Sequence, residues 1–178
     1  MNFTRVRAFI VVGALILVAA AFVVVAVVRD SQRGVAAGRD CPPGVPRASL
    51  RLPREPAAVT VKVLNGTGKP GVAEDATEAF RTRRFRVQPP AGDRRRVKGV
   101  AVLRYGPDAV GSAQLIAAYF LGRADMEYSA KRTGRVVEVS IGNAFQQLAT
   151  MTEVNQSLAQ LGEPLVPPGA CAAPATER

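Results

Sequence analysis

The 178-residue sequence contains no histidine and no tryptophan, and aromatic residues make up only 6% of it. Histidine is the commonest general base and a common metal ligand, so its absence excludes histidine-based catalytic triads and most zinc sites. The cysteines and carboxylates show no spacing that would hold a metal ion. The sequence therefore predicts no catalytic residue, no metal ligand and no cofactor, which argues against an enzyme. The alternative is an enzyme whose carboxylates cannot be recognised from sequence.

Acidic residues are scarce as well, because 14 Asp and Glu stand against 24 Lys and Arg and leave a formal net charge of +10. The excess is concentrated in residues 81–104, where nine basic residues accompany a single acid, Asp93. Such a patch usually indicates nucleic-acid binding, but the few aromatic side chains and the location inferred below favour anionic lipid headgroups or cell-wall polyanions. The candidate binding residues are Arg94, Arg95 and Arg96. The alternative is a solvated loop without a binding role.

The longest uncharged stretch is residues 8–28, which is long enough to cross a hydrocarbon core of about 30 Å as a helix. A cleaved signal peptide usually has an apolar core of only roughly 7–15 residues. We therefore predict an uncleaved transmembrane helix over 8–28, preceded by a short cytoplasmic N-terminus at 1–7. Basic residues lie on both sides of the stretch, so their local count does not settle the orientation.

Cys41 and Cys171 are the only cysteines, and they bracket nearly the whole chain beyond the predicted membrane helix. Two such cysteines are typical of a disulfide in an oxidising compartment. The alternative is a pair of free thiols. A disulfide favours a single-pass membrane protein whose C-terminal part is extracytoplasmic.

The remainder divides into three segments by composition. Residues 29–57 are rich in Arg, Pro, Gly and Ala and lack a sustained apolar period, which predicts a linker. Residues 58–166 have the size of one small domain, and 167–178 form a Pro-rich tail.

Apolar periodicity within this domain alternates between strand and helix patterns. The order β-α-β-β-α-β-β with an appended helix predicts a two-layer α+β fold. In detail, Pro89 and Pro90 are expected to end the second strand, and Asp108 is expected to be the N-cap of the second helix. The predicted strands lie near 59–63, 85–87, 100–105, 126–128 and 137–141, and the predicted helices lie near 72–80, 113–120 and 151–161.

A literal G-x-G-x-x-G connects the first strand to the first helix and resembles a dinucleotide-binding fingerprint. That fingerprint requires an acidic residue at the end of the second strand, but the chain reads Arg86-Val87-Gln88 there. The β-β order after the first helix also breaks the repeated βαβ arrangement. We therefore predict a structural turn, whose residues are Asn65, Gly66, Gly68 and Gly71.

The stretches VTVKVLNGTGKPGVAEDATEAFRTRRFRV, VAVLRYGP and VVEVSIGNAF resemble the LytR C-terminal domain family over residues 59–148. The layout of short N-terminus, membrane span, linker, domain and terminal cysteines is similar to actinobacterial envelope integrity proteins of the Cei type. This resemblance implies a membrane-anchored, non-enzymatic module that supports the cell envelope. The implied partner is an envelope protein, such as a LytR–CpsA–Psr phosphotransferase, or else peptidoglycan or anionic lipid.

The arginine triplet has no counterpart in the family motifs. Arg94, Arg95 and Arg96 are expected on a loop between the second and third strands. Their guanidinium groups are expected to be free, because Asp93 is the only acid in the loop. Arginine binds phosphate and carboxylate groups in a bidentate manner, so this loop is the predicted contact with a polyanion.

Overall fold

The computed structural model describes Gly13 and residues 41–174. Apart from Gly13, the predicted transmembrane helix lies outside the described residues, as do residues 29–40 of the predicted linker. Among the residues that are described, no helix is long and apolar enough to cross a membrane.

The described chain contains a small mixed domain and one short terminal strand pair. In chain order the elements are β1 (Arg47–Ala48), a 3-10 turn (Pro56–Ala58), β2 (Thr60–Asn65), α1 (Val72–Thr82), β3 (Arg86–Gly92), β4 (Ala101–Tyr105), a 3-10 turn (Pro107–Ala109), α2 (Val110–Tyr119), β5 (Asp125–Tyr128), β6 (Val136–Ile141), α3 (Met151–Leu161) and β7 (Cys171–Ala172).

The main sheet has the strand order β3-β2-β6-β4-β5. Strands β3 and β6 run parallel to β2, whereas β4 is antiparallel to β6 and parallel to β5. From β2 to α3 the order of elements is the predicted one. The domain is therefore a mixed α+β fold with three helices and a sheet.

The core lies between the helices and one face of the sheet. Val61 and Val63 of β2 and Val139 of β6 are fully buried, and the polar residues between them point to the other face, as strand geometry requires. The rings of Phe80 in α1 and Phe120 after α2 lie 6.2 Å apart. Both helices therefore cover the same face, and the opposite face of the sheet carries polar side chains.

Local sequence explains where two of the helices lie. Helix α1 buries Ala73, Ala76 and Phe80 at helical spacing, and its first turn carries acidic residues that favour the positive end of the helix dipole. Helix α3 begins with a capping box, in which Thr150 and Glu153 satisfy each other's backbone N–H groups.

The prediction that the two prolines end the second strand is wrong. Strand β3 continues through Pro89 and Pro90 to Gly92. The two prolines lie where the β2–β3 register shifts, so that both stand opposite Val63. A proline cannot donate to the ladder, but β3 is at the edge of the sheet and the shift forms a bulge, the two settings in which strands accept proline.

The prediction that Asp108 caps the second helix is also wrong. Ala109 is the N-cap, and its side chain makes no capping hydrogen bond. Asp108 lies in the preceding 3-10 turn, which starts at Pro107 and leads directly into α2. The backbone is thus already in a 3-10 conformation at Asp108. The Asp108 carboxylate therefore does not reach the first free N–H groups of α2.

Residues 41–57, assigned to a linker from sequence, are part of the folded domain. Ala48 is fully buried, β1 pairs in parallel with β7, and the Ser49 N–H donates to the Pro107 carbonyl at 2.8 Å. Cys41 and Cys171 form a disulfide with their Cα atoms 5.9 Å apart. Strand β1 has only two residues and pairs near the other end of the chain, so it produces no local apolar period.

Candidate functional site

The arginine triplet lies on residues 93–100, the connection between β3 and β4, here called the arginine loop. Because β2 and β6 stand between β3 and β4 in the sheet, this loop must cross the carboxyl ends of both strands. Its backbone is tied to them: the Asp93 N–H donates to Asn65 O at 3.0 Å, and the Val97 N–H donates to Gly66 O at 2.9 Å. The loop therefore has defined contacts along its length.

The arginine loop packs against residues 65–71, here called the glycine turn. A Cβ atom built on Gly66 would lie 2.8 Å from both Ile141 O and Val97 Cγ2, and one built on Gly68 would overlap the guanidinium group of Arg96. Gly66 and Gly68 thus leave the space that β6 and the arginine loop occupy.

The glycine turn uses its own polar groups internally. The Asn65 Oδ1 atom accepts from the N–H groups of Thr67 at 3.0 Å and Gly68 at 3.2 Å, and Asn65 Nδ2 donates to Lys69 O at 2.6 Å. Gly68 and Gly71 have positive φ angles of 76° and 83°, which glycine adopts without strain. The N–H groups of Thr67 and Gly68 are therefore already partnered within the turn.

Asp93 is the first residue of the arginine loop, and both oxygens of its carboxylate accept hydrogen bonds. Its Oδ1 accepts from the Arg95 N–H at 2.9 Å. Its Oδ2 accepts from Arg104 Nη1 at 2.7 Å and from Ser140 Oγ at 2.6 Å. Only 7% of the Asp93 side chain and 9% of the Arg104 side chain are exposed. This cluster joins the loop to β4 and β6 on the polar face of the sheet.

The cluster controls the ionisation of its carboxylates. Burial raises the pKa of Asp93, but hydrogen bonds from Ser140, the Arg95 backbone and Arg104 outweigh it and lower the pKa to about 2. Burial likewise raises the pKa of Glu127, and hydrogen bonds from Arg104 and Arg95 lower it below the usual value. Both carboxylates are therefore ionised at neutral pH and can only accept hydrogen bonds.

The expectation that all three guanidinium groups are free is wrong for Arg95. Its Nη2 donates to Glu127 Oε2 at 2.8 Å, the same oxygen that accepts from Arg104 Nε at 2.9 Å. The sheet register brings Glu127 and Arg104 side by side across β4 and β5, which the sequence does not reveal. Arg95 is consequently held against the sheet.

The other basic residues of the loop remain available. Arg94, Arg96 and Lys98 are exposed and make no ion pair with any residue in the described part of the chain. Beside them is an open cleft of about 260 Å³. It is lined by Arg95, Arg96, Val97, Lys98, Gly99, Val102, Arg104, Asp125 and Glu127. Among the lining residues that make no ion pair in the described part of the chain, Arg96 and Lys98 are cations and Asp125 is an anion. The free charge around the cleft is therefore net positive, which suits an anionic group.

Sequence reasoning identified the arginine triplet and Asp93 but missed the residues that surround them. Arg104 and Ser140 each lie in a strand between two buried residues, and Glu127 alternates in β5 with Met126 and Tyr128. That alternation marks them as residues of the polar face. Nothing local indicates that these three positions are adjacent.

A second cleft of about 250 Å³ lies between α1 and the segment before α3. Arg83 crosses it and donates from Nη1 to Ala79 O at 2.9 Å and from Nη2 to Leu148 O at 3.1 Å. The guanidinium group therefore holds α1 to this segment, and its charge is directed at backbone carbonyl groups.

Comparisons with known proteins agree with this fold. Residues 58–145 match the LytR_C family model, described as LytR cell envelope-related transcriptional attenuator. The soluble domain of a conserved hypothetical secreted protein from Mycobacterium marinum has a similar structure, with a TM-score of 0.51 and 22% sequence identity over 66% of this chain and 77% of that chain. At this identity the likeness concerns the fold alone. No curated protein matches the chain significantly.

Proposed function

We propose, from the premise that residues 58–145 form a domain of the LytR_C family, that the chain is a membrane-anchored, non-enzymatic module of the cell envelope. In this proposal residues 8–28 cross the membrane, the domain is extracytoplasmic, and the arginine loop binds an anionic envelope component. The shared chemistry of that component is a phosphate or carboxylate group, carried by wall polymer, by peptidoglycan or by lipid.

The observation that carries the binding proposal is the set of free cations on a loop of defined structure. Arg94, Arg96 and Lys98 stand in one exposed stretch without an ion pair among the described residues. Arginine forms bidentate hydrogen bonds with phosphate and carboxylate groups. A loop that is already ordered loses little conformational entropy when it binds. Within the triplet, Arg94 and Arg96 are the contacts and Arg95 holds the loop through Glu127.

Two observations support an extracytoplasmic domain without catalysis. The Cys41–Cys171 disulfide is a feature of proteins in oxidising compartments. Glu127, which lines the cleft, and Asp93 at the start of the arginine loop have lowered pKa values, which makes them poor proton donors at neutral pH.

The binding proposal is tested with the full chain in a neutral detergent. The variant carries Arg94→Ser, Arg95→Ser and Arg96→Ser. The matched control carries Arg54→Ser, Arg123→Ser and Arg135→Ser, three exposed arginines outside the loop with the same total charge change. Binding is measured by co-sedimentation with purified cell wall, with peptidoglycan stripped of its polymers, and by titration with a fluorescent phosphatidylglycerol, each at low and high salt.

We expect the loop variant to lose most of its binding in one of these arms, and the control to keep most of it. The component to which the loop variant no longer binds identifies the source of the anionic group. Wild-type binding should fall as salt rises, because exposed charges are screened. Equal binding by the loop variant and wild type, or binding indifferent to salt, would contradict the proposal.

The topology is tested separately. Protease added to intact spheroplasts should digest the domain while a cytoplasmic marker survives. Digestion only after lysis would contradict an extracytoplasmic domain and leave the binding result unaffected.

A further inference from the structure

The arginine loop is proposed to bind anions, yet it contains one negatively charged residue. Asp93 is the only acid among residues 81–104, and it begins the loop that presents the cations. If charge alone governed binding, a carboxylate at this position would weaken the attraction of a polyanion. The structure gives a different role for it.

The carboxylate is buried and fully engaged, whereas Arg94 and Arg96 are exposed. Its Oδ1 holds the loop backbone through the Arg95 N–H, while its Oδ2 receives Arg104 Nη1 from β4 and Ser140 Oγ from β6. One side chain thus fastens the loop to two strands. Its negative charge is balanced by Arg104, which is buried and is not one of the exposed cations.

The residues that follow Asp93 depend on this fastening. The Val97 N–H reaches Gly66 O at 2.9 Å, and the Asn143 N–H reaches Val97 O at 3.0 Å. Only Arg94, Arg95 and Arg96 lie between Asp93 and Val97, which are both held by hydrogen bonds. The direction in which Arg96 projects over Gly68 is therefore fixed from both sides. Without the carboxylate contacts the Asp93 backbone would still be bound to Asn65 O, but the Arg95 N–H would lose its acceptor. The segment that carries the free cations could then change its direction.

We propose that Asp93 is a positioning residue for polyanion binding, which holds Arg94, Arg96 and Lys98 in the arrangement that engages several anionic groups at once. This inference rests on the proposed function of the arginine loop. It predicts that removal of this negative charge weakens the binding of an anion, opposite to the effect that charge alone would have.

The test uses Asp93→Asn in the full chain. Asparagine has nearly the same shape, but it replaces one acceptor oxygen by an NH2 group that can only donate. The variant can accept from the Arg95 N–H or from Arg104 and Ser140, and not from all three. Asp108→Asn is the control, because it makes the same charge change at an exposed site in the turn that follows the far end of β4.

Binding of long-chain inorganic polyphosphate is measured for both variants and wild type at several salt concentrations. We expect Asp93→Asn to bind several-fold more weakly than wild type, and with a shallower salt dependence, because fewer cations engage together. Asp108→Asn should bind as tightly as wild type or slightly more tightly. A residue with a merely structural role would leave the salt dependence unchanged.

Ser140→Ala provides a second variant that leaves the net charge unchanged and removes one hydrogen bond to Asp93 Oδ2. We expect it to weaken binding in the same direction, and it decides the question if Asp93→Asn does not fold. Binding by Asp93→Asn at or above the wild-type affinity, or by Ser140→Ala at the wild-type affinity, would overturn the inference. If the triple arginine variant binds like wild type, the proposed function itself fails.

Discussion

At the scale of single residues, each of the three glycines in the glycine turn is required for a different physical reason. Gly66 is in close contact with the backbone of β6, since its built Cβ lies 2.8 Å from Ile141 O. Gly68 combines a positive φ angle with the guanidinium group of Arg96 above it. Gly71 has a positive φ angle, and no described atom outside its own chain neighbourhood lies within 4 Å of its built Cβ.

These differences predict a graded response to alanine. Gly71→Ala should lower the free energy of unfolding by about 1 kcal/mol, the cost of positive φ for a residue with a Cβ. Gly68→Ala should cost about the same and in addition displace Arg96, so only this variant of the two should weaken polyphosphate binding. Gly66→Ala should cost more, about 2–3 kcal/mol, because the carbonyl it meets cannot move away.

Urea denaturation and polyphosphate titration of the three variants give both quantities. Equal binding by Gly68→Ala and Gly71→Ala would contradict the assignment of Arg96 as a contact.

Asp93 predicts a pH dependence of stability. Its pKa is about 2 in the folded chain against an ordinary value of 3.8, so its stabilising contribution is fully present above pH 3.8 and is lost as the pH falls through about 2. Asparagine resembles the protonated form. The difference in free energy of unfolding between wild type and Asp93→Asn should therefore be about 2 kcal/mol at pH 7 and shrink between pH 4 and pH 2. Urea denaturation across this range measures it, and a pH-independent difference would contradict the prediction.

At the scale of elements, β3 is an edge strand of the described sheet that carries two prolines at a bulge. An unprotected edge presents free N–H and C=O groups to which a second chain can add, and prolines and bulges prevent this. Pro89 and Pro90 thus disfavour the addition of a second chain at this edge of the described sheet.

The prediction is that Pro89→Thr combined with Pro90→Thr keeps the fold and promotes self-association. Threonine favours strands, and the two substitutions restore backbone N–H donors to this edge strand. Sedimentation velocity over a range of concentrations should detect dimers or larger species in the variant. Gln88→Thr is the matched control, since it adds threonine to the same strand without adding a donor. A variant that sediments like wild type and this control would show that another feature protects the edge.

At the scale of the whole described molecule, the segments at the two ends of residues 41–174 are joined to each other. Cys41 and Cys171 are separated by 130 positions and joined by a disulfide, next to the pairing of β1 with β7. Ala48 of β1 is fully buried. The segments before and after the central domain are therefore held to each other and to the core.

The closing disulfide should stabilise the domain strongly. The chain-entropy treatment of a loop of this length gives about 4–5 kcal/mol. Cys41→Ser combined with Cys171→Ser should fold with a lower free energy of unfolding and a lower melting temperature, and reductant should shift wild type in the same direction. A thiol reagent should not label the unreduced chain. Two reactive cysteines before reduction would contradict the closure.

Local chemistry explains which parts of the fold could be predicted from sequence alone. The alternating valines of β2 and β6 and the helical spacing of Ala76 and Phe80 depend on neighbours a few positions away. The sequence alone therefore determined the order of strands and helices from β2 to α3. It also indicated the pairing of Cys41 with Cys171, because no other cysteine exists.

Tertiary structure alone decided the rest, because the relevant partners are distant along the chain. Asp93 meets Arg104 and Ser140 only through the order β3-β2-β6-β4-β5, which no local periodicity specifies. The prolines of β3 are tolerated because that strand has one neighbour. The same crossing of the arginine loop over β2 and β6 pairs Arg95 with Glu127 and leaves Arg94, Arg96 and Lys98 exposed. Composition indicated a basic loop, and sheet topology determined which of its cations are free to bind.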